Sequence, residues 1–234
     1  MSSLILRLAA PVQSWGGYRR LVSHVPTHPI PTRSGVAGLL GACLGERDYL
    51  SLLPRFDMRV RADRANPVMP EYQVAVGPTT PREREMADRA VKVSSSSNWA
   101  RASFPASIIG TSAKGGNGVY HRNFIPHSEF ICELSGTDDD VAQWLDAVRS
   151  PGFMPYLGRH ANAPTWPFVL GVHHGEDDLF GQLPRVGGDP DEQIAVHHVT
   201  GDFTRHTTDT TWVTTPVADS REEQMTWVSQ HLSR

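Results

Sequence analysis

Apolar and polar positions alternate from the start of the chain. Leu4, Leu6 and Leu8 are interleaved with Ile5, Arg7 and Ala9, which predicts a strand at about 3–10 that Pro11 ends. Between Pro31 and Gly45 the period changes. Val36, Leu39, Leu40, Cys43 and Leu44 recur at helical spacing, Thr32 is placed to cap the first turn, and Gly45 to stop the last. Phe56, Met58, Val60 and Ala62 then alternate with Arg55, Asp57, Arg59 and Arg61, a half-buried strand with a charged outer row. Phe130, Cys132 and Leu134 alternate with Glu129, Ile131 and Glu133. Thr137 and three aspartates open a helix that buries Val141, Trp144, Leu145 and Val148. Phe168 to Val172 predicts another strand. Shorter ones follow the glycine-rich Val186-Gly-Gly-Asp189, near Ile194–Val199 and Thr211–Thr214.

Residues 63–127 interrupt this regularity. Glu71 to Gly77 is strand-like, Pro78 to Asn98 is rich in Pro, Thr, Arg, Glu and Ser, and Ser112 to Gly118 has the composition of a hairpin tip. A segment this long with little apolar content reads as a functional hairpin projecting from the domain. The order strand, helix, strand, insertion, strand, helix, strand is a split βαβ repeat. It predicts an α+β, ferredoxin-like (RRM-like) sheet with both helices on one face. That domain spans 1–172 with the insertion at about 63–127, and 173–234 forms a small β-rich extension packed on it. RNA-binding modules of this kind use the open sheet face or the loops at its edge.

Charge sharpens the picture. Residues 1–126 hold 16 Lys and Arg against 8 Asp and Glu, and residues 127–234 hold 6 against 17. A basic half and an acidic half fit a polyanion on one surface and protein or solvent on the other. Only Lys92 and Lys114 are lysines. Arginine forks match phosphates and stack on bases, although a G+C-rich genome gives the same bias. No apolar run is long enough for a membrane span, and Met1 to Leu8 lacks the layout of a secretory signal. Cys43 and Cys132 sit among apolar residues and read as core thiols, which fits a reducing cytoplasm.

The glycines of the first helix carry the candidate chemistry. Gly35, Gly38 and Gly41 each cost about 1 kcal/mol relative to alanine, so something approaches this helix closely. Two readings stand: tight packing on the sheet, or a phosphate held at the helix start by Arg33, Ser34 and the N–H of Gly35. Gly16-Gly17 and Gly187-Gly188 allow close backbone approach. Trp15, Tyr156 and Arg159 are candidates to stack on splayed bases, against the alternatives of a core lid, a packed turn and an ion-pair partner. Gln13 either reads a base edge or bonds its own loop.

Three blocks resemble the signature blocks of one family. Leu4 to Gly16, Pro31 to Gly45 and Phe153-Met-Pro-Tyr-Leu-Gly-Arg159, with Val186 to Asp189, are similar to the CasD family, the small subunit of type I-E CRISPR Cascade that holds the 5′ handle of the guide RNA. The resemblance implies a repeat-associated (RAMP) ferredoxin-like domain with a thumb, and a non-catalytic role in antiviral defence, capping one end of the complex. It implies the handle of the crRNA, the backbone subunit CasC and the large subunit CasA as partners, with target DNA met only through the complex, and no cofactor. Gly158 enters the candidate set with this block. After Arg159 the chain reads His-Ala-Asn-Ala-Pro, where the family often has another base and Ser-Cys-Pro. Into the poorly matching insertion only Arg122 is carried. On this reading Arg33→Ala weakens handle binding and lowers its salt slope by about one phosphate.

The rival reading is a metal-independent endoribonuclease that processes the precursor RNA, with Tyr18, His24, His28, Lys114 and His121 as possible acid–base groups. No spacing among them is diagnostic. A metal site is disfavoured: prolines at 26 and 29 prevent a helix from aligning His24 with His28. His173-His174 and His197-His198 lie in strand-like segments that point neighbours apart, and there is no Cys-x-x-Cys. Lys114 to Gly118 lacks the Gly-Lys-Ser/Thr of a phosphate-binding loop.

Overall fold

The computed structural model describes residues 2–16, 24–75, 118–175, 177–201 and 206–233. Its strands are β1 (Ser2–Ala9), β2 (Val12–Gln13), β3 (Trp15–Gly16), β4 (His24–Val25), β5 (Thr27–His28), β6 (Asp57–Arg64) and β7 (Met69–Ala75). They continue with β8 (Gly118–Pro126), β9 (Glu129–Gly136), β10 (Val169–His174), β11 (Arg185–Val186), β12 (Gln193–Gly201), β13 (His206–Thr214) and β14 (Val217–Ala218). The described helices are α1 (Arg33–Leu44), α2 (Asp138–Arg149), the short α3 (Leu179–Gln182) and α4 (Arg221–His231), with a 3₁₀ turn over Tyr49–Arg55.

The chain divides into two compact units. The first contains Met1–Gly16, His28–Val68 and Ile125–Arg234. Its centre is a six-stranded antiparallel sheet in the order β10-β1-β9-β6-β12-β13. The alternation in β1 and β9 places Leu4, Leu6, Leu8, Phe130, Cys132 and Leu134 on one face, where they are buried with Val36, Leu39 and Leu40 of α1 and Val141 and Trp144 of α2. Trp144 meets Phe56 edge-on with ring centroids 6.0 Å apart. A Cβ on Gly136 would stand 2.7 Å from the Trp144 ring, which accounts for that glycine. Both helix starts are built as their sequences predict: Thr32 accepts from the Gly35 N–H and Thr137 from that of Asp140. Gly45 ends α1 in the left-handed region, at φ 74°.

Among the described residues the opposite sheet face is covered, which leaves the loops at the sheet's edge of the two places the sequence offered for RNA. Ile5, Ile131, Leu170 and Val196 are buried there beneath Leu179 and Phe180 of α3, Leu183, and Val228 and Leu232 around α4. The charged outer row of β6 is correspondingly misjudged at one position. Arg61 is 0 % exposed. Its guanidinium pairs with Asp63 at 2.6 Å and donates to the carbonyls of Phe180 and Leu183 at 2.7 and 2.6 Å. Glu129, also on this face, is shared between Arg7 at 2.9 Å and Arg221 of α4 at 2.6 Å. The tail predicted as β-rich is therefore closed by a helix that lays a lid on the sheet, while β12 and β13 extend the sheet itself.

The second unit contains Gly17–Thr27 and Met69–Phe124. Its described part is β7 paired antiparallel with β8 from Met69↔Phe124 to Ala75↔Gly118, with β4 alongside β8. Most of the predicted insertion, including the serine run at 94–97 and the tip at 112–117, lies outside the described residues.

Candidate nucleic-acid interface

Within the first unit a cleft of about 530 Å³ runs along the exposed side of α1. Ser34, Gly35, Gly38, Leu39 and Ala42 form one wall, with Glu46 and Tyr49 at the helix's far end. Phe153, Met154, Tyr156, Gly158 and His160 form the other, and Gly16 closes the lining. The segment after α2 is held against α1 by backbone bonds: Gly152 N–H donates to Cys43 O at 2.8 Å and Phe153 N–H to Ala42 O at 3.0 Å. Tyr156 and His160 stack with centroids 4.3 Å apart and planes at 27°. Phe153 is 63 % and Met154 77 % exposed.

The sheet and the turns dictate this geometry. Leu157 N–H donates to Asn162 O at 2.7 Å and Ser14 N–H to Leu157 O at 3.1 Å, which ties the 156–162 turn to the chain beside β3. Gly158 sits at φ 88°, and a Cβ there would fall 1.5 Å from the Ser14 carbonyl oxygen. Only glycine fits.

Four of the sequence-predicted residues meet in the cleft: Ser34, Gly35, Tyr156 and Gly158. The others do different work. Gln13 is fully buried; its amide donates to Leu8 O at 3.2 Å and Ser128 O at 2.6 Å, and its carbonyl accepts from Trp15 Nε1 at 3.2 Å. Trp15 is likewise buried and packs on α1, where a Cβ on Gly35 would meet its Cε3 at 2.9 Å. Neither side chain faces outward to a base. Arg33 turns inward. It donates to the carbonyls of Gly201 at 3.2 Å and of Leu53 and Phe56 at 2.5 Å, and lies over the Phe56 ring at 5.2 Å. It satisfies the end of the 3₁₀ turn and does not line the cleft.

Arg159 is half-buried outside the cleft lining and bonded within the protein. Gly187 and Gly188 adopt φ 71° and 99° at a separate turn that wraps Arg185, which is ion-paired with Glu192 at 2.8 Å. Arg122 belongs to the second unit, in register with Glu71 and Val25. In that unit the exposed Tyr72 meets His121 edge-on at 4.6 Å. Sequence reasoning missed Tyr49, Phe153, Met154 and His160. Phe153 and Met154 lay inside a block already singled out, and their apolar character at a turn was the available signal.

The chemistry of the cleft is apolar and aromatic. Among the described residues Glu46 is the one carboxylate lining it, and the positive end of α1 opens at Ser34 and Gly35. Such a lining suits the faces of bases and riboses better than phosphates. Burial pushes the Cys43 thiol up to about 11, so it stays protonated at neutral pH. Burial also lowers His28. Among the described residues no group of three or more His, Cys, Asp or Glu is placed to hold a metal. No helix among them is long and apolar enough to cross a membrane.

A central antiparallel sheet covered on both faces, with an aromatic cleft beside a glycine-laced first helix, defines a mixed α/β protein. The sequence family described as "CRISPR-associated protein (Cas_Cas5)" matches residues 3–225, and the chain belongs to it. It is 32 % identical over 217 residues to the CRISPR system Cascade subunit CasD of Escherichia coli (strain K12), covering 85 % of each chain. The fold is similar to a chain of a CRISPR RNA-guided surveillance complex, with a TM-score of 0.72 and 22 % identity over 98 % of this chain and 100 % of that one. It is also similar to a crystallised Cas protein, with a TM-score of 0.60 and 22 % identity over 93 % and 100 %.

Proposed function

We propose that the chain is a non-catalytic subunit of a type I-E Cascade complex that grips the 5′ handle of the crRNA and caps one end of the particle. The observation that carries this reading is the cleft between α1 and residues 153–160. Its stacked Tyr156–His160 pair offers an aromatic face to an unpaired base, and Gly38 leaves the middle of the α1 wall without a side chain. The order β10-β1-β9-β6, with α1 and α2 as the two crossovers, supports a ferredoxin-like repeat-associated domain. The β7–β8 pair supports a thumb hairpin at its root. CasC and CasA are the subunits this chain would meet, through surfaces outside the cleft.

A binding titration with handle RNA tests the reading. Tyr156→Ala and His160→Ala each lose about 1–3 kcal/mol of affinity, the worth of a stacked base, with the melting temperature little changed. Repeat RNA incubated with the protein in EDTA remains intact. A cleaved product, or affinities unmoved by both substitutions, contradicts the proposal.

A further inference from the structure

The two edges of the six-stranded sheet are treated differently. At the β10 edge the chain's own tail bridges the strand at one residue pair. Val172 and Ser233 exchange two backbone hydrogen bonds of 2.9 Å, and the Ser233 hydroxyl donates to Val172 O at 3.2 Å. At the other end, β13 pairs with β12 along its full length, from His206↔Gly201 to Thr214↔Gln193, and with no other strand among the described residues. Nine residues of edge present a row of unpaired N–H and C=O groups roughly 30 Å long. Natural edges are usually blunted by lysine, proline, a bulge or brevity. Here the register is unbroken, and the sequence HTTDTTWVT holds one charge, Asp209, and neither lysine nor proline.

Trp212 adds a second observation. It is 60 % exposed in the middle of this edge. Its neighbour Val213 packs into the cluster beneath α4, so Trp212 stands on the opposite face, directly across from the small Ala195. Two residues along, Thr210 holds His197 Nδ1 at 2.9 Å. The indole thus has a small neighbour on its inner side and, among the described residues, no strand on its outer side. A strand laid against β13 would supply that neighbour and satisfy the outward backbone groups together.

We propose that β13 is a strand-addition site: an extended segment of a neighbouring protein subunit pairs with it and sets an apolar residue beside Trp212. The choice of a subunit as occupant rests on the assembly proposed above.

Hydrogen exchange measured on the chain alone and on the guide-RNA particle containing it tests this. In the particle, alternate amides between Thr208 and Thr214 slow by at least about tenfold, as expected for new ladder bonds. Adjacent strand amides point to opposite edges, so of Thr210→Pro and Thr211→Pro one breaks the β12 ladder and the other removes an outward N–H, together with the exposed hydroxyl bond to His197 where that residue is Thr210. The outward variant keeps its melting temperature and loses retention in the particle about tenfold, and Trp212→Ala loses it several-fold with the fold intact. Unchanged exchange in an assembled particle overturns the inference alone. So does protection that appears in the isolated chain with rising concentration, which makes the occupant a second copy, or on adding RNA alone, which makes it nucleic acid. A chain that never enters the particle overturns the proposed function, and this inference with it.

Discussion

Arg33 shows how one side chain changes role once its surroundings are known. A cation at a helix start next to a serine has the sequence of a phosphate site. Its guanidinium instead collects three backbone carbonyls from the 3₁₀ turn and β12. Those carbonyls come from separate chain segments, a need that local sequence does not display. Arg33→Ala is accordingly expected to lower stability by about 2 kcal/mol, seen as a drop in melting temperature. The salt slope of RNA binding stays where it was, contrary to the expectation from sequence. Gln13 and Trp15 follow the same logic, since their polar atoms are consumed by each other and by Leu8 and Ser128. Tyr156 and Gly158 were legible because one motif joins them, and His160 stands one residue beyond that motif, whereas Tyr49 comes from a separate segment that only the fold brings to the cleft.

At the scale of elements, α1 separates two uses of glycine. Gly35 and Gly41 make room for neighbours, with added Cβ atoms at 2.9 Å from Trp15 and 2.6 Å from Tyr49, whereas Gly38 has nothing nearer than the Tyr49 ring at 3.8 Å. Gly41→Ala is therefore expected to cost about 1–3 kcal/mol through overpacking, which outweighs its gain in helix propensity. Gly38→Ala gains up to about 1 kcal/mol of stability yet narrows the cleft and weakens RNA binding. Thermal melts paired with RNA titrations distinguish the two. The bounds of α1 and α2 were readable from Thr32, Gly45 and Thr137, because caps are local devices. The helix α4 was not foreseen, although Ser220 and Glu223 mark its start. The Ser220 hydroxyl accepts from Glu223 N–H at 3.2 Å, and the Glu223 carboxylate accepts from Asp219 N–H at 2.8 Å. Its buried positions are few, so periodicity gave a weak signal where the cap gave a clear one.

At the scale of the molecule, the covered second sheet face is what alternation concealed. Arg61 read as part of a charged outer row, but it pairs with Asp63, and Arg7 and Arg221 both pair with Glu129, beneath α3 and α4. For Glu129, burial pushes the carboxyl up, and the hydrogen bond and charge of Arg7 with the charge of Arg221 outweigh it, so the net shift is downward. A lowered carboxylate favours the folded state above its unfolded value, and that contribution is lost as pH falls through the lowered one. The protein is thus expected to lose stability in acid. Glu129→Gln flattens the acid limb of the stability profile and costs about 3 kcal/mol at neutral pH by stranding Arg7. Denaturant titrations across pH read both effects.

The decisive measurement is a density map of this chain assembled with its guide RNA and partner subunits. The account predicts an uncut 5′ handle with an unpaired base resting against Tyr156 and His160, beside Gly38 of α1. A handle seated on another subunit, with that cleft empty, would contradict it.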